Sequence, residues 1–335
     1  MSLTIPFKER YSNMHVIEKY DVPTGQIMVV EGSHGKLEML SLGDYGQAVN
    51  LNQGKPVPDG LPIMPLTEKW VVTISTQYGC SMGCEFCDVP KVGPGRNATF
   101  GDLTGQILTA LTLPGVPDWT KRLNIHFARM GEPTWNPAVL DCGKWIADHL
   151  GDKYTPHPVV STMMPRKNQW LKTFIHTWMR IKNRVFRGNA GLQLSINSTD
   201  EAEREQMFVG SSMTLLDIAE VMRGIVPVGR KITLNFAVAG YTVDPNVLLR
   251  WFSPEWYVVK LTPMHKTAVA LEHDIKTEGD YTTPEPYQEL EDRLKRAGYD
   301  VLVFIASRDE DEGRITCGNA ILSGTMPFDL TRSDS

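Results

Sequence analysis

Three of the five cysteines fall within eight residues of this 335-residue chain, in the run Cys80-Ser81-Met82-Gly83-Cys84-Glu85-Phe86-Cys87. Thiols this close either bind a metal as thiolates or exchange disulfides. A structural zinc would take Cys84 and Cys87 as one half-site, but no second Cys or His pair stands at usable spacing. A thioredoxin-type Cys-x-x-Cys has no use for Cys80. An iron–sulfur cubane normally takes four thiolates, and with three it keeps one iron open to an exogenous ligand. Unrelated core cysteines are the plain alternative. Elsewhere, Cys317 follows an acidic run at 308–312 and reads either as a reactive thiol or as a small buried hydrophobe, whereas Cys142 sits within an apolar helical pattern and reads as packing. Lys91 and Arg96, just beyond the cysteine run, are candidates for a phosphate or cofactor contact. Arg180, Lys182, Arg184 and Arg187 surround Phe186 and form either a phosphate-tracking face or a solvated helix end.

The elements that must position these residues are legible from about residue 70. Val/Ile/Leu-rich runs at 70–76, 122–129, 157–162, 190–197, 231–238, 256–262 and 300–306 have the character of buried parallel strands. Helical patterns lie between them at 102–111, 137–150, 168–185, 213–225, 245–252 and 284–297, with Ser212 and Pro284 as start signals. Such regular alternation predicts a parallel α/β fold. Six or seven βα units are too few for a closed eightfold barrel, so a partial (βα)6 barrel is expected. The cysteine run then occupies the loop after the first barrel strand, at the end where barrels carry chemistry. Residues 27–43 predict two strands around a Ser33-His34-Gly35 turn, and the Gly/Pro-rich stretch 50–65 a linker. The expected division is an N-terminal β-rich extension and linker over 1–65, a core over 66–325 and a polar tail over 326–335.

Composition narrows the function classes. No stretch approaches the about 18–20 apolar residues of a membrane span, and the N-terminus lacks an apolar signal core, so a cytoplasmic protein is expected. With 34 Lys+Arg against 39 Asp+Glu, bulk electrostatic coating of nucleic acid is disfavoured, while a local basic groove is compatible.

Cys-x3-Cys-x-Phe-Cys resembles the signature of the radical S-adenosylmethionine (SAM) superfamily, whose usual architecture is the partial (βα)6 barrel. The resemblance implies a [4Fe-4S] cluster on Cys80, Cys84 and Cys87 and SAM bound at the open iron. Cleavage of SAM then yields a 5′-deoxyadenosyl radical, with an electron donor such as flavodoxin or ferredoxin as partner. Within the superfamily, Phe86-Cys87-Asp88 through Gly93, Arg96-Asn97 and Gly105-Gln106 is similar to the adenine-methylating RNA enzymes of the RlmN/Cfr branch. Met130-Gly131-Glu132-Pro133 with Asn136 resembles their Gly-Glu-Pro motif, which implies that Glu132 and the Gly131 backbone contact the amino group of SAM. Val160-Ser161-Thr162 and Leu194-Ser195-Ile196-Asn197 resemble segments that contact the cofactor carboxylate and ribose, through Ser161, Ser195 and Asn197. Phe86, and His265 in a looser match at 261–265, complete the implied cofactor set. Glu132 also reads as an ordinary helix-start acid, and Ser161, Ser195 and Asn197 as strand ends or caps.

Thr316-Cys317-Gly318 resembles the Cys-Gly that carries the methylated cysteine of that branch, making Cys317 the implied methyl carrier. Two features depart from the pattern. The branch has a resolving cysteine seven residues before the first cluster cysteine, where this chain has Thr73, and a hydroxyl cannot do thiol exchange. No N-terminal stretch resembles the branch's accessory domain. The expectation is a radical SAM enzyme modifying an unactivated carbon, on a nucleobase of RNA or DNA, by methylation with an altered resolving step. The alternatives are a radical isomerase in hypermodification of a phage-type DNA base, and a non-catalytic Fe–S or zinc protein.

Overall fold

The computed structural model describes residues 13–45, 62–276, 285–305 and 308–328. Three strands, β1 (Val16–Val22), β2 (Gly25–Gly32) and β3 (Gly35–Leu42), form an antiparallel meander. The Ser33-His34 turn joins β2 to β3 as expected, and β1 is an addition to the expected pair. Then come β4 (Trp70–Ile74), a short ribbon of β5 (Gln77–Gly79) and β6 (Pro94–Asn97), β7 (Leu123–Phe127), β8 (Pro156–Thr162), β9 (Gly191–Ser195), β10 (Ile232–Val238), β11 (Tyr257–Pro263) and β12 (Asp300–Val303). The helices are α1 (Phe100–Leu111), α2 (Ala138–Tyr154), α3 (Leu171–Arg180), α4 (Glu201–Met207), α5 (Leu215–Met222), α6 (Pro245–Trp251), α7 (Ala268–Glu272), α8 (Glu285–Arg296) and α9 (Arg308–Glu312).

One sheet has the order β1-β2-β3-β4-β7-β8-β9-β10-β11-β12. From β4 onward every neighbouring pair is parallel. Each of the seven apolar runs has become a parallel strand: six lead into returning helices, the partial barrel expected, and β12 follows as a seventh.

Barrel strands place alternate residues on opposite faces. On β10, Ile232, Leu234, Phe236 and Val238 are buried against the helices, while Thr233, Asn235 and Ala237 are half-buried on the other face. On β4, Trp70, Val72 and Ile74 alternate in the same way with Val71 and Thr73. The strands are apolar outward, under helices, and polar inward.

The N-terminal meander continues this sheet, because β3 pairs antiparallel with β4. Met28, Val30, Leu37 and Met39 enter the main core, while Ile27, Val29, Leu40 and Leu42 pack with Ile315 and Ile321 of the C-terminal segment. The expected boundary near residue 65 falls between β3 and β4, where residues 46–61 lie outside the described residues, as do 329–335 of the expected tail.

One start signal is corrected. Thr214, not Ser212, caps α5, accepting from Asp217 N at 3.1 Å. Ser212 instead donates to the Met163 carbonyl and accepts from Arg204, because it is buried against the end of β8. Pro284 lies outside the described residues.

Candidate active site

The cysteine loop leaves the C-terminal end of β4 and is closed at its base by the β5–β6 ribbon. Gly79 has φ +79°, and a Cβ there would lie 2.1 Å from the Gly93 carbonyl oxygen, so only glycine lets the two sides meet. Gln106 of α1 accepts from Ser75 N at 2.8 Å and donates to Ser75 O at 3.0 Å, fixing where the chain leaves the strand. Buried Gln77 is the keystone. Its Nε2 donates to Gly95 O and Asn97 Oδ1 at 2.8 and 2.9 Å, and its Oε1 accepts from Glu132 N at 3.0 Å and Ser81 Oγ at 3.2 Å. The loop after β7 is thereby pinned to the cysteine loop. Gly131, at φ +94°, allows the approach, since a Cβ would sit 2.5 Å from Gln77 Cβ.

Cys80, Cys84 and Cys87 are free and half-buried. Burial pushes the Cys80 thiol up to about 12 against the pull of the Met82, Gly131 and Glu132 backbone N–H groups. Cys84 and Cys87 are also raised, first by burial and then by the other cluster thiols, with Cys317 a further contributor to both. Four sulfurs thus share one neighbourhood. Among the described residues, no three His, Cys, Asp or Glu side chains gather as a single metal ion requires.

Glu132 is buried beside them. Its Oε1 accepts from Thr134 N and Oγ1 at 3.0 and 2.6 Å, its Oε2 from Met163 N at 3.0 Å, and Thr162 adds a side-chain bond. Burial raises its pKa, and these bonds oppose the rise. Four donors fill a carboxylate's acceptor capacity, so an incoming amine would exchange with one of the threonine hydroxyls. Met163 Sδ lies 3.6 Å from Cys84 Sγ, linking the carboxylate to the cysteine loop.

Inside the barrel is a cavity of about 310 Å³. Six of the expected residues line it: Phe86, Ser161, Ser195, Asn197, His265 and Cys317. Thr73 lines it too. Asn197 is held at φ +59° with its Oδ1 accepting from Ala237 N at 3.1 Å. His265 Nδ1 lies 3.3 Å from Asp311 Oδ1, and the same carboxylate accepts from Lys266 N and Thr316 Oγ1 at 2.8 and 2.7 Å. These bonds hold Asp311 below the usual carboxylate range against its own burial, and they fix the turn that carries Cys317. The Cys317 thiol opens to the cavity. Its close walls raise its pKa, while Lys260 and Arg129 pull it down. Asp88 N donates to Gly318 O at 2.8 Å, stitching the Cys317 turn to the cysteine loop. The Asp88 carboxylate accepts from Val269 N at 2.9 Å, which anchors that loop to α7.

No family model matches the chain. Among curated proteins it is 34% identical over 144 residues to the dual-specificity RNA methyltransferase RlmN of a Nitratiruptor species, covering 42% of this chain and 40% of that one. It is also 34% identical over 227 residues to a probable dual-specificity RNA methyltransferase RlmN of Koribacter versatilis, covering 66% of this chain and 62% of that one. The chain is a distant homologue of these RlmN-like proteins. It spans less than two thirds of the length of these relatives. Its fold is that of a radical SAM methyltransferase from Sphaerobacter thermophilus, with a TM-score of 0.64 at 18% identity over 92% of this chain and 81% of that one.

Homology to RlmN-like radical SAM proteins implies a [4Fe-4S] cluster and SAM, and the residues of this site fit the cluster. Three thiols on one loop share a desolvated neighbourhood, with backbone N–H groups aimed at Cys80. Thiolates of a cubane bind different irons, so they need not converge on one point. Lys91 is ion-paired to Glu272 at 2.7 Å, and Arg96 is exposed on β6; neither lines the cavity. Cys142 is fully buried on α2, as packing requires. The Arg180–Arg187 cluster follows α3 and precedes β9, at the opposite end of the barrel from the cysteine loop. There Lys182 is buried, its Nζ donating to Val228 O at 2.6 Å. No described helix is long and apolar enough to cross a membrane.

Sequence reasoning missed Gln77, Asp88, Asp311 and the buried ion pair of Arg129 with Glu38, 2.7 Å apart. Gln77 and Asp88 flank the cysteine motif and were findable by position. Glu38 and Arg129 are 91 residues apart, with no local signal joining them.

Proposed function

We propose that the chain is a radical SAM enzyme that modifies an unactivated carbon of a nucleobase, with RNA as the substrate class its curated relatives' names supply. Cys80, Cys84 and Cys87 would hold the cluster. Phe86, Gly131, Ser161, Ser195, Asn197 and His265 would hold SAM, with Glu132 exchanging a threonine hydroxyl for the cofactor's amine. When bound, the pair supplies a carbon-centred radical that takes hydrogen from an unactivated carbon. The protein's part is to exclude water, orient the substrate and present Cys317. One observation carries the reading: Cys317 shares the cavity with Phe86 of the cysteine loop, and its turn is hydrogen-bonded to that loop through Gly318 and Asp88. Cys317 is the methyl carrier in this reading, and a reductant such as flavodoxin or ferredoxin feeds the cluster.

Thr73 supports a second reading. It lines the cavity together with Cys317, at the position where a resolving thiol would stand, and its hydroxyl cannot form the disulfide that releases a protein–base adduct. Radical rearrangement of a substituent on a hypermodified DNA base needs no such release.

Anaerobically reconstituted protein given dithionite and SAM should form 5′-deoxyadenosine. Replacing Cys80, Cys84 or Cys87 by Ala should abolish both this and the visible thiolate-to-iron absorption. Methylation predicts S-adenosylhomocysteine and an added methyl on the Cys317 peptide by mass spectrometry. An unmodified Cys317 with a Cys317→Ala variant still active would sink methylation in favour of rearrangement. No 5′-deoxyadenosine from cluster-replete protein would leave an Fe–S protein without this catalysis.

A further inference from the structure

Among the described residues, the barrel lumen carries positive charge with no carboxylate bonded to it at Lys260. Lys260 of β11 lines the cavity, and among the described residues its ammonium has no hydrogen bond and no ion pair. The charges acting on it are the Cys317 thiol and two further cations, Lys69 and Arg230. His126 of β7, also lining the cavity, is pushed down to about 3 by burial and by Lys260, Arg230, Lys69 and Arg122. Of these four cations, Lys69 alone has a carboxylate partner among the described residues, Asp44 at 2.6 Å. Arg122 donates to Asn124 Oδ1, and Arg230 to the Asn189 carbonyl. Among the described residues two carboxylates line the cavity, Asp44 and Glu310 of α9, and neither is among the charges acting on Lys260.

Neutral polar side chains surround Lys260 in register. Asn235 stands opposite it on β10, Ser195 stands opposite Asn235 on β9, and Gln193 stands opposite Ser161. The amides of Asn235 and Gln193 have no partner among the described residues. Burying like charges and unpaired amides together costs folding stability. That cost is recovered when an anion enters and accepts their hydrogen bonds.

We propose that the lumen is an oxyanion site in which Lys260 receives a phosphate group of the substrate, with Asn235 and Gln193 donating to it or to its neighbouring oxygens. A cavity of about 310 Å³ does not admit a duplex, so what reaches Lys260 is the phosphate of a single nucleotide, free or flipped out of a strand. The anion site stands on the charge balance of the lumen; that the anion belongs to a nucleotide rests on the nucleobase reading above.

The test is binding, which needs no turnover. Inorganic phosphate, adenosine 5′-monophosphate and a short single-stranded RNA are titrated calorimetrically into reconstituted holoenzyme at low salt, for wild type, Lys260→Met and Lys260→Arg. Phosphate and the mononucleotide should bind wild type and lose about tenfold or more in affinity to Lys260→Met, with Lys260→Arg retaining most of it. Ligand-free Lys260→Met should melt no lower than wild type, because a like charge has been removed. RNA binding more tightly than the mononucleotide, both sensitive to Lys260→Met, assigns the phosphate to a strand; equal affinities assign it to a free nucleotide. Three results overturn the proposal: no binding to wild type, equal binding to Lys260→Met, or a Lys260→Met defect confined to SAM affinity. A failed site with intact 5′-deoxyadenosine formation would remove the phosphate subsite and leave the reaction class standing.

Discussion

The outward and inward faces of the same strands obey different rules. Outward, Trp70, Val72, Leu234 and Phe236 are buried under helices, and the polar atoms among them are paired: Trp178 of α3, packed on Phe127, donates its Nε1 to Gly191 O at 2.9 Å. Inward, Thr73, His126, Gln193, Asn235 and Lys260 face the cavity, and none has a side-chain partner among the described residues. The outer layer stabilises the barrel. The lumen retains polar groups that packing alone would select against, which is the mark of a surface shaped for a ligand.

Substitutions on the two faces should separate accordingly. Trp178→Ala opens a large cavity in the dry layer and should cost about 3–5 kcal/mol in urea unfolding. Glu38→Gln probes where the faces meet. It neutralises one partner of a fully buried pair whose Arg129 also donates to Arg314 O at 2.9 Å, behind the Cys317 turn. A loss of about 3 kcal/mol is expected, together with lower activity through a displaced Cys317; unchanged stability would show that solvent in the lumen screens Arg129.

The pH dependence of stability sharpens the contrast. The folded-state pKa of His126 is depressed from 6.5 to about 3, so the unfolded chain binds the extra proton between those values. Melting temperature should therefore fall as pH is lowered from about 6.5 towards 3. His126→Gln should flatten part of that fall, and His157, depressed to about 4, should account for more. A wild type whose stability is level across this window would mean His126 is protonated in the fold. Asn235→Ala should have the smallest effect on stability, within about 0.5 kcal/mol, while weakening phosphate binding. A core-sized loss there would erase the distinction between the faces.

The parallel strands and the cysteine motif were legible because their signals are local: short Val/Ile/Leu runs, helical periodicity, and three thiols on contiguous chain. The helix start at Ser212 misled because Thr214, two residues on, competes for the same cap, and only the burial of Ser212 against β8 decides between them. Lys260, Asn235 and Gln193 looked like isolated polar interruptions of apolar strands. Nothing local says that all three face one lumen.

The sequence by itself determined the chemistry on offer, three thiols close together on one loop and a distant Cys317, together with the alternation that builds the barrel. Only the tertiary structure decided that the Cys317 turn is stitched to the cysteine loop, that Thr73 shares its cavity, and that Lys260 stands there with no carboxylate partner among the described residues. The reason is physical. Local periodicity sets which face of a strand is apolar, whereas strand register and sheet curvature set which residues of separate strands meet, and those depend on packing across the whole barrel.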